Sequence, residues 1–573
     1  MSVARLAGLG AHTIADANGD LQHRFAAITR RAKLRFETRD WTGMAADAAE
    51  RLDVYGAVAR KTADSVATLL DDRLHDKTVW AAMKTAYSAF AMERQDFELA
   101  ETFFNSITRR TFVTAGVDPN IEFVNTDFGT PPTEARASVY RIYETAATHN
   151  DLVRSVLGSP GFDTAFIDLE RDVMRVTNEI QRRLVSLGLE PKIDRLDMAT
   201  SVFYRGKGAY LLGRVCAGDS VLPFALALEN YEKGILVDAV LLHEEEVSIL
   251  FSFAHSYFHV EEERPYDLVR FIRDQVPRKR LSELYISLGQ TRHGKTELFR
   301  ELRSHLETTD DVFIEPPGKK GLVMSVFTLP GFEMVFKVIK DRFPPQKTMT
   351  PSQVMAKYRL VFHHDRAGRL VDSQSFEHIR FPADRFDEGL LESLLDECSR
   401  TVRRDGKTVE ISLAYVQRRV TPMDVYVHEA TADLSRGAVV DYGTAIRDLA
   451  VTGIFPGDLL IKNFGVTRNE RVVFYDYDEL TEIRNCNFRD LPVAQSVEDE
   501  MSATPWFPLG PNDVFPSEFS SFLGLSGELR EVFMEAHSEL LEASWWNGVK
   551  NRILAGEIFS IYPYSRRSRL GSR

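Results

Sequence analysis

The chain has 573 residues, 44% of them hydrophobic and 27% charged, with a formal net charge of −13. That length exceeds what one hydrophobic core supports and predicts two large domains, while the acidic balance argues against nucleic acid or an anionic membrane as the main partner. Three scattered cysteines, Cys216, Cys398 and Cys486, do not make a disulfide framework. The first apolar run is broken by His12, Asp16 and Asn18 too early for a signal peptide, and no apolar stretch reaches the roughly 18 residues of a membrane span. A cytoplasmic protein is expected.

Residues 1 to about 200 read as helices, most clearly 41–74 and 166–189, where apolar residues recur at helical spacing between Arg, Asp and Glu. From about 200 to 260 glycine punctuation and β-prone runs predict strands, and helices return at 265–276 and 295–309. Between them, "LYISL" at 284–288 has a strand-like texture and precedes Gly289-Gln-Thr-Arg-His-Gly-Lys-Thr296, which matches the P-loop pattern at every fixed position. Residues 310–347 then carry two Val/Phe/Ile-rich runs around Pro and Gly turns, so a domain boundary is placed near 311. Helices are expected at 351–365 and 387–404, strands at 408–420 and 423–430, and a strand in "RVVFYDYDEL" (471–480) that ends on Asp476. The last hundred residues read as mainly helical and close on the basic "SRRSRLGSR".

Phosphoryl transfer needs backbone donors over the phosphates, a lysine against them, carboxylates for metal and a group to orient the acceptor. Gly318-Lys-Lys-Gly321-Leu-Val323 fits the tail of a kinase glycine loop. Sixteen residues on, Lys337 sits inside an apolar β-like run, where an unpaired ammonium is costly unless an anion meets it. Asp458 precedes Asn463 by five residues, the spacing of a kinase catalytic loop. Thirteen residues later comes Asp476, with Asp478 on the same side of the strand and Tyr477 opposite. Each piece alone fits a turn or a solvated strand end; the four in kinase order point to a nucleotide-dependent phosphotransferase using Mg²⁺.

With those residues in place, 321–347 (GLVMSVFTLPGFEMVFKVIKDRFPPQK), 453–480 (GIFPGDLLIKNFGVTRNERVVFYDYDEL) and 487–492 (NFRDLP) resemble the bacterial isocitrate dehydrogenase kinase/phosphatase family, and the resemblance extends over essentially the whole chain. It implies an α+β protein. Residues 1–311 would form a mainly helical regulatory domain with a small β element. Residues 312–573 would form a protein-kinase-like bilobal domain carrying both kinase and phosphatase activities. The implied substrate is a serine of isocitrate dehydrogenase, whose phosphorylation repels isocitrate and steers flux between the citric acid cycle and the glyoxylate bypass. The resemblance further assigns Pro316, Pro317, Gly318, Lys319, Lys320, Gly321, Leu322 and Lys337 to ATP, and Asn463 and Asp476 to Mg²⁺ or Mn²⁺. Asp458 becomes the base, Lys462 a phosphate contact, and Asp372 the aspartate of the phosphatase reaction, with Asp478 as its helper in orienting water. ADP enters as a cofactor of the phosphatase step, AMP as allosteric effector, residues 485–503 as the loop that recognises isocitrate dehydrogenase, and a homodimer is allowed.

Departures from ordinary protein kinases are evident. Pro456-Gly457 replaces His-Arg before Asp458, Tyr-Asp replaces Phe-Gly after Asp476, and the helix after Lys337 holds no acid to pair with it. Cys398-x₅-Arg404 has the spacing of a cysteine phosphatase, but Leu390, Leu391, Leu394, Leu395 and Cys398 form an apolar helical stripe, so a core cysteine is expected. His243, His255 and His259 lack a spacing-fixed third zinc ligand. The P-loop match has no later hydrophobic strand ending in Asp before the boundary, so 289–296 reads as a loop opening a helix, with Arg292, His293 and Lys295 available to a regulatory nucleotide. Two rivals stay open: a P-loop ATPase or small-molecule kinase using Lys295, and a non-catalytic kinase-like nucleotide sensor.

Overall fold

The structure, a computed structural model, describes residues 1–126, 137–144, 147–253, 256–316, 320–345, 347–364, 366–492 and 507–572. Four helices open it: α1 (Val3–Glu37), α2 (Trp41–Leu70), α3 (Lys77–Met92) and α4 (Phe97–Phe112). They start at residues chosen for the purpose: Ser2 and Asp40 turn their side chains onto the backbone amides of Arg5 and Gly43, satisfying donors that a helix start leaves open. Their apolar faces, including Ile14, Val66, Trp80, Tyr87, Phe103 and Phe104, bury one another in a single cluster.

A six-stranded antiparallel sheet follows, built from β1 (Tyr140–Glu144), β2 (Arg195–Ala199), β3 (Phe203–Arg205), β4 (Gly208–Ala217), β5 (Ser220–Tyr231) and β6 (Gly234–Leu241), in the order β1-β2-β4-β5-β6 with β3 on β4. Helices α5 (His149–Gly158) and α6 (Leu169–Ser186) cover one face through Val153, Val156, Val176 and Ile180. The other face buries residues of α7 (Glu244–Leu250), α8 (Pro265–Arg273) and α9 (Leu281–Ser287). The chain's last residues return to this sheet: Arg569 pairs with Asp238 at 2.8 Å, Tyr564 donates to the same carboxylate, and Arg569 bridges Ala239.

Helix α10 (Thr291–Thr308) leads into a five-stranded antiparallel sheet of β7 (Met324–Leu329), β8 (Phe332–Ile339), β9 (Ser373–Pro382), β10 (Val402–Asp405) and β11 (Thr408–Arg418). Phe313, Phe327, Phe336, Phe381 and Phe386 fill one side of it, together with Leu298, Leu302 and Leu306 of α10. Two helices join strands here, α11 (Pro351–His364) and α12 (Glu388–Glu397). Below lies a larger helical lobe: β12 (Thr421–Pro422), α13 (Met423–Glu429), α14 (Ala432–Val451), β13 (Ile454–Phe455), β14 (Phe464–Val466), β15 (Val472–Phe474), and the helices Gly527–His537 and Ala543–Leu554. Its core gathers Tyr442, Ile446, Leu449, Phe464, Phe474, Phe533 and Trp546. An antiparallel five-stranded small lobe joined to a helical large lobe, after a mainly helical half containing one sheet, bears out the expected α+β class. No described helix is long and apolar enough to cross a membrane, and all three cysteines are free and buried.

Several elements differ from expectation. "LYISL" lies in helix α9, because burial of Leu284 and Tyr285 against the sheet overrides the β-prone composition. Residues 423–430, expected as a strand, form helix α13: Pro422 opens it, and Met423, Tyr426 and Val427 meet the core at i, i+3 and i+4. The first 200 residues include β1 and β2, paired along five residues each. Asp476 lies beyond β15, which ends at Phe474. Cys398 is the cap that ends α12 rather than a helical residue, yet it is wholly buried, as expected for a core thiol. Among the described residues of the final hundred, expected as mainly helical, the α-helices are Phe519–Phe522, Gly527–His537 and Ala543–Leu554.

Candidate active site

Lys337 lies on β8, paired across the sheet with Tyr415 of β11, and is 8% exposed. Its ammonium donates to the backbone carbonyl of Tyr475 at 2.9 Å. Burial lowers it to about 8, partly offset by Asp476 and Asp478 nearby. A buried ammonium facing carboxylates at the mouth of a sheet is a ready anion contact. The acid that a kinase helix would supply is absent from α11, which instead presents Tyr358. Its ring stacks on Tyr415 at 3.9 Å and meets Tyr477 edge-on at 5.2 Å.

Tyr475 ties the predicted residues together. Its carbonyl takes Lys337, its amide donates to Asn463 O at 3.1 Å, and its hydroxyl donates to Lys462 O. Sequence reasoning missed it because two of the three links run through its backbone, which leaves no trace in residue type. Asn463 is buried and its side chain leans on Asp458 O at 3.4 Å, while a carboxylate oxygen of Asp458 accepts from Leu460 N at 3.0 Å, closing the catalytic-type loop on itself. Gly457 leaves no room for the Arg of the usual pair. It adopts φ +85° and packs so close to Glu479 that a Cβ would sit 2.4 Å from that residue's carbonyl oxygen.

Asp476 is pushed well above the usual carboxylate range by burial and by its hydrogen bond with Asp478. For Asp478 burial acts in the same direction, but hydrogen bonds with Asp476 and Lys347 outweigh it and hold the group low. Two carboxylates this close share a proton unless a cation intervenes. Asp476, Asp478 and the Asn463 carboxamide offer hard oxygen donors of the kind Mg²⁺ accepts beside phosphate oxygens, so the residues fit that ion. No group of three His, Cys, Asp or Glu that could hold a metal ion occurs among the described residues.

Ile314 and Thr328 exchange backbone hydrogen bonds on either side of the stretch where the glycine loop is expected. Gly321 leaves no room for a side chain, since a Cβ would lie 2.8 Å from Met324 O. Pro316, Lys320 and Leu322 lie between Ile314 and Thr328 in the chain, Lys320 pairing with Glu315 at 2.8 Å. Pro317, Gly318 and Lys319 lie outside the described residues, as do 493–503 of the expected recognition loop and His255. Of that loop, 487–488 pairs in parallel with 513–514.

Asp372 does not join this group. Gln374 donates to both of its oxygens at 2.8 and 2.9 Å, and it lines a cavity of about 800 Å³ with Lys279 and Glu283 from the α9 side and Arg418 at the end of β11. Burial raises it to about 6. Glu283 bonds Arg418 at 2.6 Å, and Lys279, lowered by burial to about 8, donates to Phe251 O and Ser252 Oγ. Lys337, Asp458 and Asp476 do not line that cavity. The link back is through the chain: Val371 N donates to Phe474 O and Phe474 N to Arg369 O, two residues before Asp476.

Arg369 holds this crossing. It is 3% exposed, grips Asp441 twice at 2.7 and 2.8 Å and Asp448 at 2.8 Å, and donates to Val472 O. Removing one partner of a buried ion network leaves charges stranded, so Arg369→Ala is expected to cost about 3–5 kcal/mol. A urea titration reads this; an unchanged midpoint would show the network to be dispensable.

The octet 289–296 caps a second cavity, of about 260 Å³, lined also by Arg51, Tyr55, Tyr257 and Gln374. Gly289 takes φ +84° in the turn from α9 to α10, a helix–turn–helix rather than the strand–loop–helix that a P-loop requires. Lys295 has no ion-pair partner among the described residues, and burial followed by Arg292 lowers it to about 7.

Comparison with known proteins then gives two family models that divide the chain. "Isocitrate dehydrogenase kinase/phosphatase (AceK), regulatory domain" matches residues 11–310, and the corresponding kinase domain matches 311–566. Proteins named isocitrate dehydrogenase kinase/phosphatase are similar over nearly their full length. One from Anaeromyxobacter sp. (strain Fw109-5) is 49% identical over 565 residues, covering 99% of this chain and 98% of the relative. One from Anaeromyxobacter dehalogenans is 48% identical, covering 95% and 94%. One from Xanthomonas euvesicatoria is 39% identical, covering 98% and 97%.

Proposed function

Because the chain belongs to the isocitrate dehydrogenase kinase/phosphatase family, we propose that it transfers the γ-phosphoryl group of ATP to a serine of isocitrate dehydrogenase and hydrolyses the same phosphoserine, in the cytoplasm. The observation that carries this reading is Tyr475, which gathers Lys337, Lys462 and Asn463 beside Asp476. Lys337 and the glycine-loop residues around Gly321 receive the phosphates, and Asp458 accepts the serine proton as the hydroxyl oxygen bonds to phosphorus and ADP departs. Mg²⁺, held by Asn463, Asp476 and Asp478, would neutralise phosphate charge when bound. Asp372 is assigned to the hydrolytic direction together with Asp478. Because Asp372 faces Lys279 and Glu283, its state connects that reaction to the wall between the two halves. The experiment is label transfer from γ-labelled Mg-ATP to purified isocitrate dehydrogenase, followed by release of the label on adding ADP. Absence of both would refute the reading.

A second assignment rests on the octet. Arg292 and Lys295, the latter without an ion-pair partner among the described residues, suit the phosphate of AMP in the smaller cavity, with Tyr55 and Tyr257 lining it beside them. Lys295 must be protonated to pair with phosphate, and its proton is lost as pH rises through about 7, so AMP affinity is expected to fall above about pH 7. Calorimetric titration reads this. Lys295→Met is expected to flatten the dependence and weaken AMP binding while leaving label transfer in place, and retained AMP affinity in that variant would exclude the cavity.

A further inference from the structure

Lys347 lies three residues before Thr350, which with Gln353 forms a reciprocal cap at the start of α11: Thr350 N donates to Gln353 Oε1 at 2.7 Å, and Gln353 N to Thr350 Oγ1 at 3.4 Å. The Lys347 ammonium reaches across to the segment after β15 and pairs with Asp478 Oδ2 at 2.9 Å and Glu479 Oε1 at 2.7 Å. The lysine and Asp478 are largely buried, with side chains 19% and 13% exposed, while Glu479 is 44% exposed. The Asp478 arm is therefore the stronger one, since pairing with a solvated carboxylate is worth little.

A protein kinase couples its small lobe to the metal-binding segment by a glutamate of this helix that pairs with the strand lysine. Here α11 contains no acid, and Lys337 bonds a carbonyl instead. The ionic link between the start of α11 and the metal segment still exists, but the cation is on the helix side and the acids are on the metal side. We infer that Lys347 is a positioning residue for Asp478 and Asp476, a tethered cation that aims these carboxylates while occupying part of their charge. The inference rests on the reading of Asp476 and Asp478 as metal ligands.

Two consequences of opposite sign follow. A fixed positive charge beside the acids repels an incoming divalent ion, so removing it strengthens metal binding. The same removal frees Asp478 to rotate and loosens the start of α11 from the metal segment, so turnover falls. A residue that served only stability would produce neither split.

The test uses full-length protein with Mn²⁺ as probe, its affinity measured by electron paramagnetic resonance titration, together with both reactions on isocitrate dehydrogenase. Lys347→Met is expected to tighten Mn²⁺ binding by about tenfold and to lower kcat by about tenfold in both directions. Lys347→Arg is expected to restore both. Unchanged affinity and turnover in Lys347→Met would overturn the inference, as would weaker Mn²⁺ binding accompanied by a lower melting temperature, which marks a structural role. Asp476→Asn separates the two layers. Loss of Mn²⁺ binding there with no effect of Lys347→Met sinks the inference alone, whereas wild-type Mn²⁺ binding in Asp476→Asn sinks the metal reading and the inference with it.

Discussion

Lys337→Met is expected to lower kcat/KM for label transfer by roughly 10²–10³-fold, the scale on which a fixed charge against a transition-state anion acts. The side chain keeps its length and apolar stem, so the sheet should keep its stability; what is lost is the charge that bonds Tyr475 O and faces Asp476. Removing a buried ammonium also relieves a desolvation cost, so thermal melting is expected to stay level or rise slightly. The companion variant Lys295→Met is expected to retain transfer, because its lysine lines the small cavity between α1, α2 and the octet. Loss confined to Lys295→Met would move ATP to the octet and revive the rival P-loop ATPase.

The other large effect is expected at Asp372. Asp372→Ala should depress the phosphatase rate by about 10²-fold or more, the usual worth of a positioned acid or base, with kinase activity changed by less than about threefold. The group is ionised only above about pH 6, because burial raises it, so phosphatase activity should climb through that pH while kinase activity does not. Asp372→Asn should remove the acidic limb. Equal loss of both activities would mean that Asp372 acts through the shared Phe474 crossing instead of on one direction of the chemistry.

The sequence made the kinase-like half legible through residues whose type is dictated locally. Gly321 must pass close to a backbone, Lys337 interrupts an apolar strand, and the Asp458–Asn463 and Asp476 spacings can be read straight from the chain. What it hid falls into two kinds. Some links run through backbone atoms, as at Tyr475, where residue type carries no message. Others join positions far apart, as with Arg369 to Asp448 and Lys347 to Asp478, whose pairing only the folded chain brings about. Secondary structure failed where burial outvoted propensity, at α9 and α13, both of them short helices rich in Leu, Tyr, Val or Ile. The placement of Asp372 was invisible for a further reason: a carboxylate in a loop reads alike whether it faces a nucleotide or the wall between two domains.

The return of the chain's last residues to the first sheet sets a timetable for synthesis. Asp238 leaves the ribosome 331 residues ahead of Arg569, its guanidinium partner, and translation at 5–20 residues per second makes that interval roughly 15–65 s. For that time the sheet carries the Asp238 carboxylate without its Arg569 partner, and the Leu570 side chain is missing from its core. A nascent protein in this condition is a natural client for chaperones, and a chain cut short before Arg569 leaves the N-terminal sheet without its partner.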